Sequence, residues 1–263
     1  MFKLVLSVAL SCFAICVDAK MVGEAVSYRD GDTLMKGYLA YDDAQSGKRP
    51  GILVVHEWWG HNEYARSRAR QLAEMGYTAL AVDMYGDGRQ ADHPKDAGRF
   101  AAEVKHNMAQ AQARFEAAIA LLKAHQTVAS EEISAVGYCF GGGIVLEMAR
   151  RGVDLDLVGS FHGTLAPAEP AVNGAVKAQL LVFNGAADPF VKQEQIAAFK
   201  EEMDRAGVHY EFYQYPGAKH AFTNPGADEL GQRFGLPLAY QKVADEQSWA
   251  VFSRALERVY GKP

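Results

Sequence analysis

At 263 residues, 49% hydrophobic and 22% charged, the chain is long enough for one sizeable globular domain and too apolar for a disordered one. Its formal net charge is -5, and Lys and Arg are scattered rather than clustered. That pattern leaves no electrostatic footprint for nucleic acid, and no nucleic-acid partner is expected.

The N-terminus differs in kind. Lys3, an apolar run from Leu4 to Val17 and the small-residue site Val17-Asp18-Ala19 predict a cleaved secretory signal peptide over 1–19, with the domain over 20–263 secreted or periplasmic. The run is shorter than the roughly 20 residues of a spanning helix, so no stable membrane span is expected after its removal. A lipoprotein signal at Cys12 is the lesser alternative, because Ala9-Leu10-Ser11 before it is a poor match. Of the three cysteines, Cys12 and Cys16 fall in this segment, which leaves Cys139 alone in the mature chain and excludes an intramolecular disulfide. A lone thiol in an oxidising compartment calls for deep burial or a catalytic role with a masked resting state.

Ala25 to Tyr41 alternates like a strand pair, Asp42 to Pro50 is polar and turn-rich, and Gly51 to Val55 reads as a fully buried strand. Helical spacing follows from Tyr64 to Met75, then an apolar run at Thr78 to Val82, then a single long Ala-rich helix over about Ala97 to Ala124. Ile133 to Val136 predicts the next strand and Gly142 to Arg151 the helix behind it. Further strands are expected at Leu157–Phe161, Leu180–Phe183 and Tyr210–Tyr215, and helices at Gln193–Ala206 and Ala239–Tyr260. Thr223 to Pro237 lacks clear periodicity and predicts a surface loop able to act as a lid. Alternating segments with continuous apolar strands give an α/β class, a mostly parallel sheet covered on both faces, with sites at the carboxyl ends of its strands.

Gly137-Tyr138-Cys139-Phe140-Gly141 sits at one such end. A nucleophile on a strained strand-to-helix turn needs small flanking residues so that neighbouring backbone can pass close by, and both flanks here are glycine. The new helix's N-terminus favours a thiolate and can hold a developing oxyanion. A buried structural cysteine beside a packing turn is the competing interpretation. A thiol nucleophile needs a base and the base an orienting acid, in the chain order nucleophile, acid, histidine. Asp188 follows the Leu180–Phe183 strand and His220 follows the last strand, in that order; alone, each could be an ordinary turn or loop residue.

With Cys139, Asp188 and His220 placed, the chain resembles the dienelactone hydrolase family over roughly the whole mature length. The resemblance implies an α/β-hydrolase fold and a Cys-Asp-His triad. It also implies a glutamate after an early strand, matched by Glu57 in Val55-His56-Glu57-Trp58-Trp59-Gly60, that masks the resting thiol and takes its proton when substrate arrives. By the same resemblance, the backbone N–H groups of Trp58 and Phe140 form the oxyanion hole. Family members bind a carboxylated lactone with two arginines. Here Arg89 matches the first only with two residues inserted after Asp83-Met84-Tyr85, and the second position is Asn224, so bidentate recognition of a carboxylate is weakened.

His56, Glu57 and His61 raise the possibility of a zinc protease. The helical motif needs histidines four apart on one face, these are five apart, and they follow a strand, so no metal site is expected. Trp59, Tyr85, His162, Phe222 and Asn224 join Arg89 as candidate substrate contacts, although aromatic residues often simply pack and a strand-end histidine is often a satisfied core residue. The expected function is hydrolysis of a small ester or lactone through a cysteine acyl-enzyme, with no cofactor. Thioesterase or acyltransferase action by the same thiol, and an inactive ligand-binding relative, are the alternatives.

Overall fold

The computed structural model describes residues 21–262. The expected signal segment 1–19, with Cys12 and Cys16, lies outside them. Eight strands form one sheet: β1 Met21–Asp30, β2 Thr33–Asp42, β3 Arg49–Val55, β4 Thr78–Val82, β5 Val128–Tyr138, β6 Leu157–Phe161, β7 Gln179–Gly185 and β8 Tyr210–Tyr215. Their spatial order is β1-β2-β4-β3-β5-β6-β7-β8. The β1–β2 hairpin and the β2–β4 pair are antiparallel, and every pair from β4 to β8 is parallel.

The helices are α1 Glu63–Glu74, α2 Pro94–Lys105, α3 Met108–Ala124, α4 Phe140–Arg150, α5 Gln193–Arg205, α6 Ala227–Phe234 and α7 Lys242–Tyr260. The central parallel strands β3, β4 and β6 are apolar on both sides because both sides are covered, while the edge strand β8 is half-exposed. Leu53 and Val55 face one core, with Phe100, Phe115, Ile144 and Phe199 from α2, α3, α4 and α5. Ile52 and Val54, one residue out of phase, face the other, with Ala69 and Leu72 of α1 and Phe252 of α7.

Two expected elements differ. The single helix over Ala97–Ala124 is broken: α2 ends at Lys105 with His106 as its cap, and Asn107 (φ -134°, ψ 74°) caps α3, its side chain accepting from the Gln110 N–H. An Asn that satisfies an orphan N–H favours a new helix start over continuation. The expected loop over Thr223–Pro237 contains α6, which closes on Gly235 in the left-handed conformation (φ 64°). Beyond α6 the chain folds back, where Ala239 N–H donates to His220 O and Gln241 N–H to Phe222 O. Helix α6 is thereby fastened over the strand ends.

Candidate active site

Four loops at the carboxyl ends of β3, β5, β7 and β8 carry Glu57, Cys139, Asp188 and His220. Cys139 has φ 52° and ψ -114°, a conformation side chains rarely adopt, and it is held there from several directions. A Cβ on Gly137 would lie 2.1 Å from Gly141 O, and one on Gly141 would lie 2.3 Å from Val55 O, so both positions require glycine. Gly141 N–H donates to His56 O at 3.1 Å, tying the start of α4 to the end of β3. The Cys139 N–H reaches both Phe161 O at 2.9 Å and His162 Nδ1 at 3.1 Å. The thiol itself is half-buried.

That contact fixes the tautomer of His162. An amide can only donate, so Nδ1 is unprotonated and Nε2–H donates to Thr223 Oγ1 at 2.8 Å. Burial, followed by the nearby His220 and Arg68 charges, pushes the His162 pKa well below its ordinary value. His162 is therefore a neutral support beneath the nucleophile turn.

Asp188 and His220 are joined by a close approach of two turns. A Cβ on Gly185 would lie 2.4 Å from Ala218 O, while Ala187 N–H donates to Ala218 O at 2.9 Å and Ala186 N–H to Tyr215 O at 2.9 Å. Asp188 then accepts from His220 Nδ1 at 2.8 Å through Oδ2 and from Phe190 N–H at 2.8 Å through Oδ1. The Cys139 sulfur lies beside His220, and the two residues line the same cavity. Burial alone would depress the His220 pKa, but the Cys139 charge, followed by the hydrogen bond to Asp188, outweighs it and raises the value to about 10. A protonated His220 between Asp188 and the Cys139 sulfur is the state that this arrangement favours.

Glu57 is fully enclosed beside this pair. Its backbone O receives His56 Nδ1 at 2.6 Å, and His56 Nε2 accepts from Met84 N–H at 3.2 Å, so His56 is a neutral strut. The Glu57 carboxylate accepts from Asn224 Nδ2 at 2.6 Å. Burial raises the Glu57 pKa to about 7, against the opposing pull of Asn224, His220 and Arg68. The bond to Asn224 was not foreseen in the sequence, where Asn224 registered as a candidate substrate contact.

A cavity of about 210 Å³ opens on the thiol, lined by Trp58, Phe140, Phe190, His220, Leu236 and Leu238, with Ala101, Lys105 and Thr164 toward one end. Of the candidate substrate residues, none of Trp59, Tyr85, Arg89, His162, Phe222 and Asn224 lines it. Tyr85 is buried and donates to Trp58 O at 2.9 Å, steadying one of the expected oxyanion amides. Arg89 donates to Tyr85 O and pairs with Glu103 of α2 at 3.0 Å. Phe222 packs against His162 and Tyr215, and Trp59 against Trp58 and Phe234. The wall residues Ala101, Phe190, Leu236 and Leu238 carried no sequence signal, since each reads as ordinary apolar packing. Among the described residues, no group of three or more His, Cys, Asp or Glu could hold a metal ion, and no helix is long and apolar enough to cross a membrane.

Residues 35–260 match the model of the dienelactone hydrolase family. A solved dienelactone hydrolase-like promiscuous phosphotriesterase from metagenomic libraries is similar at 34% identity, covering 92% of this chain and 99% of its own, with a TM-score of 0.86. Protein usf of Aquifex pyrophilus is 27% identical over 216 residues, 80% of this chain and 90% of that one. A Bradyrhizobium protein described as "Probable 2-oxo-3-(5-oxofuran-2-ylidene)propanoate lactonase" is 27% identical over 214 residues, 78% of this chain and 82% of its own.

Proposed function

Because the chain belongs to the dienelactone hydrolase family and is an ester or lactone hydrolase, we propose that it works through a covalent thioester on Cys139. The observation that carries this reading is the His220–Asp188 hydrogen bond at 2.8 Å with Cys139 and His220 facing one cavity; the raised His220 pKa of about 10 accords with it.

In the first half-reaction the Cys139 sulfur attacks the substrate carbonyl carbon and a C–S bond forms. The carbonyl electrons move to oxygen, which the N–H groups of Trp58 and Phe140 receive. Collapse of the adduct breaks the C–O bond, and the His220 imidazolium gives its proton to the leaving alkoxide. In the second half-reaction His220 takes a proton from water, the water oxygen attacks the thioester carbon, and the C–S bond breaks to give acid and thiolate. Glu57, titrating near 7 beside His220, is a proton acceptor for any thiol form of Cys139 that enters the cycle. Export through the N-terminal segment belongs to the same proposal; N-terminal sequencing of the cell-envelope form tests it.

The test of the mechanism is turnover of an aryl acetate by the protein and by Cys139→Ala, both verified as folded. Product from the parent alone, with an early burst equal to the enzyme concentration, is the expected result. Equal rates in the two would overturn the thiol mechanism.

A further inference from the structure

We infer that the site continues past the catalytic cavity into an acyl-chain subsite, and that the natural substrate is an ester whose acyl part is an extended, uncharged chain. This rests on the thioester reading above. A second cavity of about 230 Å³ is lined by Met108, Gly143, Ile144, Glu147, Ala166, Pro167 and Ala168, and it shares Lys105 and Thr164 with the cavity over the thiol. The first cavity, about 210 Å³, is smaller than the roughly 300–1,000 Å³ of ordinary ligand sites; with the second joined to it the site falls within that range.

The direction of the extension identifies the arm that fills it. His220 must protonate the leaving alcohol, so the alcohol lies on the side of His220 and Phe190, whose rings meet edge to face at 5.0 Å. Neither residue borders the second cavity, which runs instead along Gly143 and Ile144 of α4 and the start of α3. The group pointing away from His220 is the acyl group.

The subsite is built rather than incidental. Its outer wall, the segment after His162, is pinned from below by a buried charge cluster. Arg150 Nη2 donates to Leu165 O at 2.9 Å, and Glu147 accepts from Ala168 N–H at 3.0 Å while also pairing with Arg150. Arg150 in turn makes a two-pronged pair with Glu202 at 2.8 and 2.9 Å. On the inner side, a Cβ on Gly143 would lie 3.3 Å from the Thr164 Cβ, so the glycine keeps space open at the junction. Glu147 is committed to Arg150 and Ala168. Lys105 is in none of the ion pairs found among the described residues, is exposed, and can lay its methylenes along the chain with its ammonium in water. The two positions proposed in the sequence for carboxylate recognition are engaged elsewhere, Arg89 with Glu103 and Asn224 with Glu57, which favours an uncharged acyl group.

The experiment compares kcat/KM for 4-nitrophenyl acetate and 4-nitrophenyl octanoate in the parent, Ala166→Trp and Ala168→Trp. Both alanines are exposed on the outer wall, where a large side chain can be added without disturbing the core. The parent is expected to favour octanoate by about tenfold or more, because the added methylenes leave water. At least one folded variant is expected to lower that octanoate-to-acetate ratio by about fivefold. A parent with no chain-length preference, or an unchanged ratio in both variants, overturns the inference while a burst with acetate leaves the Cys139 mechanism standing. If neither ester acylates the parent, the mechanism fails and the subsite with it.

Discussion

Asn224 Nδ2 donates to Glu57 Oε2 across 2.6 Å, joining the turn after β3 to the turn beyond His220. Asn224 Oδ1 accepts from Gly226 N–H at 2.8 Å, which fixes which end of the amide faces the carboxylate. A neutral donor thus supports a buried acid whose pKa is already raised to about 7, chiefly by burial.

Removing that donor raises the Glu57 pKa further, because the bond favours the charged form. In Asn224→Ala the acid limb of the kcat/KM profile should move to higher pH by about one unit, the scale of a hydrogen bond to a charged group. A pH–rate series on an aryl ester checks this; an unmoved limb would exclude Glu57 as the group that must be ionised.

Glu57 also affects stability. Its folded pKa of about 7 lies above the ordinary carboxyl value, so the folded state holds a proton the unfolded state has released. Stability should therefore fall as pH rises from about 4.5 to about 7 and stay reduced above that. Glu57→Gln keeps an acceptor for Asn224 without the charge, so at pH 8 it should be more stable than the parent by up to about 3 kcal/mol, while turnover drops. Urea unfolding at pH 5 and pH 8 reads both the sign and the window.

For His220 the sign reverses. A histidine raised to about 10 contributes ion-pair stability that is fully present below its unfolded value near 6.5 and is lost as pH rises through about 10. Asp188→Asn removes part of what raises it and allows the wrong tautomer, so kcat should fall by about 10²- to 10⁴-fold and the His220 titration should move to lower pH in NMR spectra.

Cys139 stores strain at φ 52°, ψ -114°. Cys139→Gly should be inactive yet about 1 kcal/mol more stable, since relief of the strained backbone exceeds the added entropy of a glycine chain. For a chain of this size that is a rise of about 2–4 °C in Tm by calorimetry.

Away from the thiol, Arg150→Met strands Glu147 and Glu202, both buried, beneath the wall of the second cavity. It should lose about 3–5 kcal/mol of stability in urea unfolding at pH 7, and part of the loss should disappear at low pH, where the two carboxylates take up protons.

The fold was legible because the parallel strands are unbroken apolar runs, such as Gly51 to Val55 and Leu157 to Phe161, buried from both sides. The loops bearing Glu57, Cys139 and Asp188 were legible for a related reason, since each follows such a run, whereas His220 follows the half-exposed edge strand Tyr210–Tyr215 and was legible by its place after Cys139 and Asp188 in the chain. Helix α6 was hidden by Gly231 in its middle and glycines at its edges. Gly231 is there because a Cβ would lie 2.7 Å from Leu238 O, a contact made only after the chain turns back. The break at Asn107 was hidden by continuous helical periodicity on either side. The cavity walls were invisible for a different reason: Ala101, Leu236 and Leu238 meet only in three dimensions and look like any core residue in one.

Rapid quenching of an aryl acetate reaction in acid, followed by peptide mass spectrometry, reads the Cys139 thioester itself. An acetyl group is expected on the Cys139 peptide at early times, in proportion to the burst, disappearing as substrate is exhausted. Full turnover with that peptide never acetylated, and with Cys139→Ala equally active, would contradict it.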